Sequence, residues 1–372
     1  MHMLSPERHP MTHPALIRSA ALPAGLFCLA LPAAVTAQEL DFYGHLNLGF
    51  INVDNGAGSN TSFTDNDNSN SRIGLIYKQG TGNGGEFRFH FETALGFTGS
   101  SSISDADDSF DLDYRRTELR KFEVIYRSPS WGTLSFGQGS IATDGLAEAD
   151  FSGTSVIAYS SLQDQAGNQE FQLASGGGSG TTIGDGFNAF DGGRRFRIHY
   201  ETPQYNGFWL IVSAGEEVLT SGNDDEFYDI GLKYDKDYGA YHVAGRLGYS
   251  IRDSDEELLL GSFAVLHKAT GLNLAVASGR QQEGDDSYYY VKAGLKRDWI
   301  EAGETRLSVD YYSGEDFAVT GSESESVGIA VVQKVDSINT EFYASYRTFS
   351  LDGTGADLQD QDVIFVGARW RF

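Results

Sequence analysis

Five histidines, His45, His90, His199, His242 and His267, fall in stretches where polar and apolar residues alternate. A hydrolase would pair one of them with a serine and an orienting polar group. No G-x-S-x-G or other nucleophile signature accompanies them, and no His-x-x-x-His or HExxH pair offers zinc a site. The single cysteine, Cys28, sits in a leader-like N-terminus, so the rest of the chain has no thiolate, disulfide or Cys-based metal site. DNDNSN, residues 65–70, has the composition of a calcium loop. Its sixth position is not glycine and its twelfth is Ile76, so it fails that pattern and reads as a solvated loop. The sequence therefore points to no enzyme, no cofactor and no metal.

Charge is what remains. Residues 141–193 hold seven acids (Asp144, Glu148, Asp150, Asp164, Glu170, Asp185, Asp191) and no lysine or arginine. A connection longer than about 15 residues is functional or disordered. The whole chain carries a formal charge of −25, which excludes a nucleic-acid partner, because phosphate binding needs cations.

The elements that must position these charges have a period of two. In GEFRFHFETALGF, residues 85–97, Phe87, Phe89, Phe91, Leu95 and Phe97 share one parity, and Glu86, Arg88, His90 and Glu92 share the other. Successive side chains of a strand point to opposite faces, so this is a strand with one apolar and one charged face. Sixteen such stretches follow, at about 40–51, 71–79, 85–97, 117–127, 131–140, 194–202, 207–215, 227–235, 239–252, 258–267, 271–279, 288–297, 304–312, 323–334, 337–348 and 362–372. In ELLLGSFAVLH, residues 257–267, both parities are apolar. Connections alternate between short turns and longer loops, the exception being the short acidic link 253–257. Pro129 and Pro203 sit in the turns, where no ladder bond is lost. Alternating short and long connections predict an all-β, antiparallel up-and-down barrel. Strands of about nine to eleven residues suit a bilayer, and an even-numbered closed barrel leaves no unpaired edge in lipid. The final stretch, VIFVGARWRF, puts Ile364, Val366, Ala368, Trp370 and Phe372 on one face, and closure requires it to pair with residues 40–51.

Residues 19–35 are apolar, follow Arg8 and Arg18, and end at Val35-Thr36-Ala37, a small-residue cleavage pattern. They predict a signal peptide over 1–37, removed to leave a barrel domain of 38–372. Beyond it, no stretch approaches the ~18 apolar residues of a membrane helix.

The leader, the opening DFYGHLNLGF, SRIGLIYKQ at 71–79, the WGTLSFGQ strand, the long loop after it and the terminal aromatic together resemble the Gram-negative outer-membrane general diffusion porins. The resemblance covers essentially all of residues 38–372. It implies a sixteen-stranded, trimeric, integral outer-membrane barrel, without cofactor, that passes small hydrophilic solutes and ions. It also implies that the third external loop folds into the lumen, and that the terminal Phe372 serves assembly through the barrel-assembly machinery. Two alternatives stay open: a substrate-specific channel, and a plugged barrel acting as adhesin or receptor through its external loops.

On this resemblance 141–193 is the inward loop, and Asp144, Glu148 and Asp150 form the acidic side of a constriction. The basic candidates opposite are Arg72, Arg88, Arg120, Arg195 and Arg197. Arg72, Arg88, Arg195 and Arg197 have lumen-facing parity. Arg120 shares parity with Phe122 and Val124, and Arg194 reads as facing outward unless it lies above the bilayer. Acids facing arginines across a narrow wet gap make a transverse field, and charge rings select ions. The acids at 104–113, 222–226 and 253–257 are expected to crown the external mouth and concentrate cations. They are also candidate sites for divalent ions bridging to lipopolysaccharide.

Overall fold

The computed structural model describes residues 38–253 and 256–372; the expected signal peptide lies outside them. The strands in chain order are β1 (Gln38–Asp54), β2 (Ser59–Asp65), β3 (Arg72–Gly80), β4 (Glu86–Ala94), β5 (Leu119–Ser128), β6 (Gly132–Ser140), β7 (Glu170–Gln172), β8 (Gly178–Thr182), β9 (Arg194–Glu201) and β10 (Phe208–Glu216). They continue with β11 (Glu226–Tyr238), β12 (Tyr241–Arg252), β13 (Glu256–His267), β14 (Leu272–Gln281), β15 (Ser287–Ile300), β16 (Gly303–Glu315), β17 (Glu323–Val335), β18 (Thr340–Asp352) and β19 (Gln361–Arg371). Each barrel strand pairs antiparallel with its chain neighbours, and β1 pairs with β19, so the sheet closes.

The barrel has sixteen positions, and β2 and β3 share one of them. β1 pairs with β3 through Gln38–His45 and with β2 through Leu48–Asp54. The sequence reading left 59–65 in a loop because SNTSFTD has one large apolar residue and no alternation. β7 and β8 form a separate hairpin within 141–193.

Closure runs from His45 opposite Arg371 to Asp54 opposite Asp362. At its end the Gly44 N–H donates to the Phe372 carbonyl at 3.1 Å, and the Phe372 N–H returns the bond at 3.1 Å. The Phe372 ring lies over Gly44, where a Cβ would come within 2.6 Å of a ring carbon and 2.7 Å of the Arg72 carbonyl oxygen, so position 44 has no room for a side chain. One parity is exposed and apolar all round the sheet, including Phe42, Phe50, Ile198, Phe263, Ile329, Ile364, Val366 and Trp370. A continuous outward apolar band on a closed sheet suits hydrocarbon as the surrounding medium.

Candidate functional site

Segment 141–193 is tied to buried-parity side chains of the barrel strands. The Ala142 N–H donates to Ser213 Oγ on β10 at 2.7 Å, and the Thr143 hydroxyl donates to Asp229 on β11 at 2.9 Å. The Ala149 N–H donates to Ser262 Oγ on β13 at 2.9 Å, and Thr154 shares a 2.8 Å hydroxyl contact with Ser308 on β16. Farther along, Leu162, Phe171, Ile183, Phe187 and Phe190 are buried with Leu258, Tyr288, Tyr312, Phe349 and Phe365 from β13 to β19. A one-turn helix, α1 (Ile183–Gly186), is held there by a capping box between Thr182 and Asp185. Burying several aromatic and aliphatic side chains at ~1.5–3 kcal/mol each is a strong tether.

Next to this segment lies a cavity of about 410 Å³. It is lined by Asp144, Glu148, Asp164 and Asp191 of the segment together with Arg72, Arg120, Arg194 and Arg369. The arginines come from β3, β5, β9 and β19. Glu92 holds two of them together, at 2.8 Å from Arg120 and 3.7 Å from Arg72. The Asn70 side-chain oxygen accepts from both Arg72 and Arg120 at 3.0 Å. Arg194 approaches Asp144 at 3.9 Å, and Arg369 pairs with Glu341 at 2.6 Å.

The sequence profile of the Gram-negative porins matches residues 20–354. The chain belongs to that family. It is thus an outer-membrane diffusion channel built as a β-barrel. Solved structures agree on the fold. The anion-selective porin of Comamonas acidovorans is 16% identical at TM-score 0.59, over 90% of this chain and 100% of its own. OprB of Pseudomonas putida is 11% identical at TM-score 0.57, over 90% and 94%. The trimer form of in-vitro folded OmpT from Vibrio cholerae is 15% identical at TM-score 0.53, over 91% and 100%. No curated protein matches the chain in sequence.

Not every candidate of this porin reaches the cavity. Asp144 and Glu148 do; Asp150 does not. Asp150 is salt-bridged to Lys292 of β15 at 3.0 Å, and Lys292 also donates to the Ala158 carbonyl at 2.6 Å. Burial pushes the Asp150 carboxyl up, but Lys292 and the Ser152 donors hold it below the usual carboxylate range. It is a clamp on the segment. Arg88 pairs with Glu86 beside the short turn and lies off the cavity. Arg197 is buried against Glu123 at 2.6 Å and donates to the Gly137 carbonyl at 2.9 Å, so it is part of the wall. Arg195 sits over the Phe227 ring, 4.2 Å from its centre, and lines an adjoining cavity of about 360 Å³ bounded also by Arg120 and Arg194.

Arg120 reaches the cavity against its parity because β4 and β5 slip register there. Glu92 faces Lys121 and Thr93 faces Leu119, which leaves Arg120 as the extra residue of a bulge, and bulges re-aim side chains. Arg194, expected to face outward, is the first residue of β9 and is paired on one side only, with Ser140. The sequence reading missed Asp67, Asp164 and Asp191 as lining residues, and the 65–70 stretch that it took for a solvated loop is instead buried at Asp65 and Asn66. Arg369 of the last strand was not assigned to a site from sequence.

Proposed function

We propose that segment 141–193 folds into the lumen and that its acids, facing Arg72, Arg120 and Arg194, form the narrowest part of a passive, non-enzymatic pore for small hydrophilic solutes and ions. The observation that carries this reading is that one cavity is lined both by Asp144 and Glu148 of the segment and by arginines of β3, β5 and β9. Such a pair of walls orients dipolar solutes and disfavours apolar ones. The acids crowning the external loops concentrate cations, so the pore favours cations. They are also where divalent ions would bridge to lipopolysaccharide. The active form is a homotrimer, as the trimer form of the OmpT structure suggests. Residues 1–37 are a signal peptide cleaved after Ala37, and Phe372 presents the last strand to the barrel-assembly machinery.

The test is charge reversal, Asp144→Lys with Glu148→Lys, in planar bilayers under a salt gradient. The reversal potential should move towards anions. An unmoved potential would take the segment out of the constriction.

A further inference from the structure

We propose that the short-turn end of the β13–β16 wall holds a phospholipid by its head group, and that the head group it fits carries a phosphodiester and a primary ammonium. This goes beyond the pore reading and rests only on the outward apolar band lying in a bilayer.

The site is made by a step in the sheet. β14 pairs with β15 no farther than Leu272 opposite Leu295. One more bond follows, from the Lys296 N–H to the Gly271 carbonyl at 3.1 Å. β15 and β16 run on to a turn between Ile300 and Gly303. The last four residues of β15, roughly 13 Å of strand, therefore stand clear of the β13–β14 turn. The other side of this hairpin is covered, where the Asp336 N–H donates to the Ala302 carbonyl at 2.9 Å. Within the step the register slips, and Asp298 and Trp299 stand against Glu304 alone. Such a bulge re-aims side chains.

A cavity of about 610 Å³ occupies the step, lined by Lys268, Lys296, Arg297, Asp298, Trp299 and Glu304. Its charges fall into two sets. Lys268 is paired with Asp237 of the neighbouring turn at 2.6 Å, and Glu304 with Arg306 at 2.6 Å. Lys296, Arg297 and Asp298 share the cavity, yet among the described residues none of them forms an ion pair. Arg297 Nη1 donates to the Ala269 carbonyl at 3.1 Å, which holds the guanidinium in the step and leaves its other N–H groups free. Opposite charges that line one cavity without meeting are the complement of a ligand that carries both. A phosphodiester accepts from Arg297 and Lys296, and an ammonium donates to Asp298. A purely anionic ligand would face Asp298, and a simple cation would face Arg297.

The wall supplies the rest of the ligand's contacts. Arg297 and Trp299 continue the outward parity of Tyr289 and Val291, and Trp299 is 58% exposed. Leu272, Leu274 and Leu307 are exposed on the neighbouring strands. Tryptophan and arginine at the edge of a hydrocarbon-facing surface sit at head-group level, so the acyl chains lie along the leucines. Short turns mark the periplasmic end of such barrels, which places this lipid in the inner leaflet.

The experiment is native mass spectrometry of the delipidated, detergent-purified porin, titrated with phosphatidylethanolamine, phosphatidylcholine or soluble phosphoethanolamine. Each variant is first shown to be heat-resistant barrel. We expect phosphatidylethanolamine to bind about tenfold more tightly than phosphatidylcholine, whose methylated ammonium cannot donate to Asp298. Asp298→Asn should remove that preference. Arg297→Gln should weaken both lipids about tenfold, and Arg297→Lys by less. Phosphoethanolamine, which has no chains to lay on the leucines, should stay unbound at the same concentrations. Equal affinity of the wild type for the two lipids, unchanged binding by Arg297→Gln, or phosphoethanolamine held as tightly as the lipid would each overturn the inference. Channel current plays no part in this test, so the pore reading stands or falls separately.

Discussion

The β13–β19 side of the barrel and the β3–β9 side share an exposed apolar parity, but the interior of the first is largely apolar and aromatic around a few ion pairs such as Arg347–Asp310, whereas that of the second is mostly ionic. On β13–β19 the buried residues include Leu258, Leu260, Tyr288, Tyr312, Val332, Phe349 and Phe365. On β3–β9 the corresponding faces carry Arg72, Glu92, Arg120, Glu123 and Arg197, held in ion pairs. Segment 141–193 packs its own aromatics on the first side and presents its acids towards the arginines of the second. An apolar surface gains by being covered, whereas a charged one gains by keeping water. The position of the segment is therefore decided mainly by hydrophobic contact on one side, and the chemistry of the cavity by what is left uncovered on the other.

Three predictions probe this contrast. The largest effect is on the seam that both sides need. Deleting Phe372 removes the ring over Gly44 and the reciprocal bonds at the chain end, and should sharply reduce the yield of heat-resistant barrel in outer-membrane fractions. A normal yield would show that the seam closes without it. Next, Phe187→Ala opens a void in the apolar side, at a cost of ~3–5 kcal/mol for a buried Phe. The barrel should survive on gels, while protease cleavage within 141–193 rises and single-channel current becomes noisier. Quiet, protease-resistant channels would mean the apolar side does not hold the segment. The smallest effect compares two arginines on the charged side. Arg120→Gln should shift selectivity towards cations by about threefold, the scale of one charge across water. Arg88→Gln, off the cavity, should leave the reversal potential where it was. Equal shifts from both would make the wall a diffuse field without a local site.

The barrel was legible because alternation is a local signal: each of the sixteen stretches became a strand, and VIFVGARWRF closed on β1. The cavity was only half legible, for two reasons. Parity fails at irregularities, so the bulge at Arg120 and the one-sided pairing at Arg194 put arginines where counting in twos does not. Residues 141–193 have no period at all, so which acids turn to the cavity depends on distant partners. Lys292, 142 residues away, takes Asp150 out of it. The doubly apolar ELLLGSFAVLH has the same origin: Leu258 and Leu260 face protein from the long segment rather than water.

The central claim is that ions pass between the acids of 141–193 and the arginines of β3, β5 and β9. The only cysteine of the sequence is Cys28, so a protein beginning at Gln38 with Asp144→Cys carries one thiol, at the wall of the cavity. Single-channel current recorded while a bulky charged thiol reagent is added tests the claim directly. The account predicts a stepwise fall in current as each thiol reacts. Unchanged current from protein shown by mass to be fully labelled would contradict it.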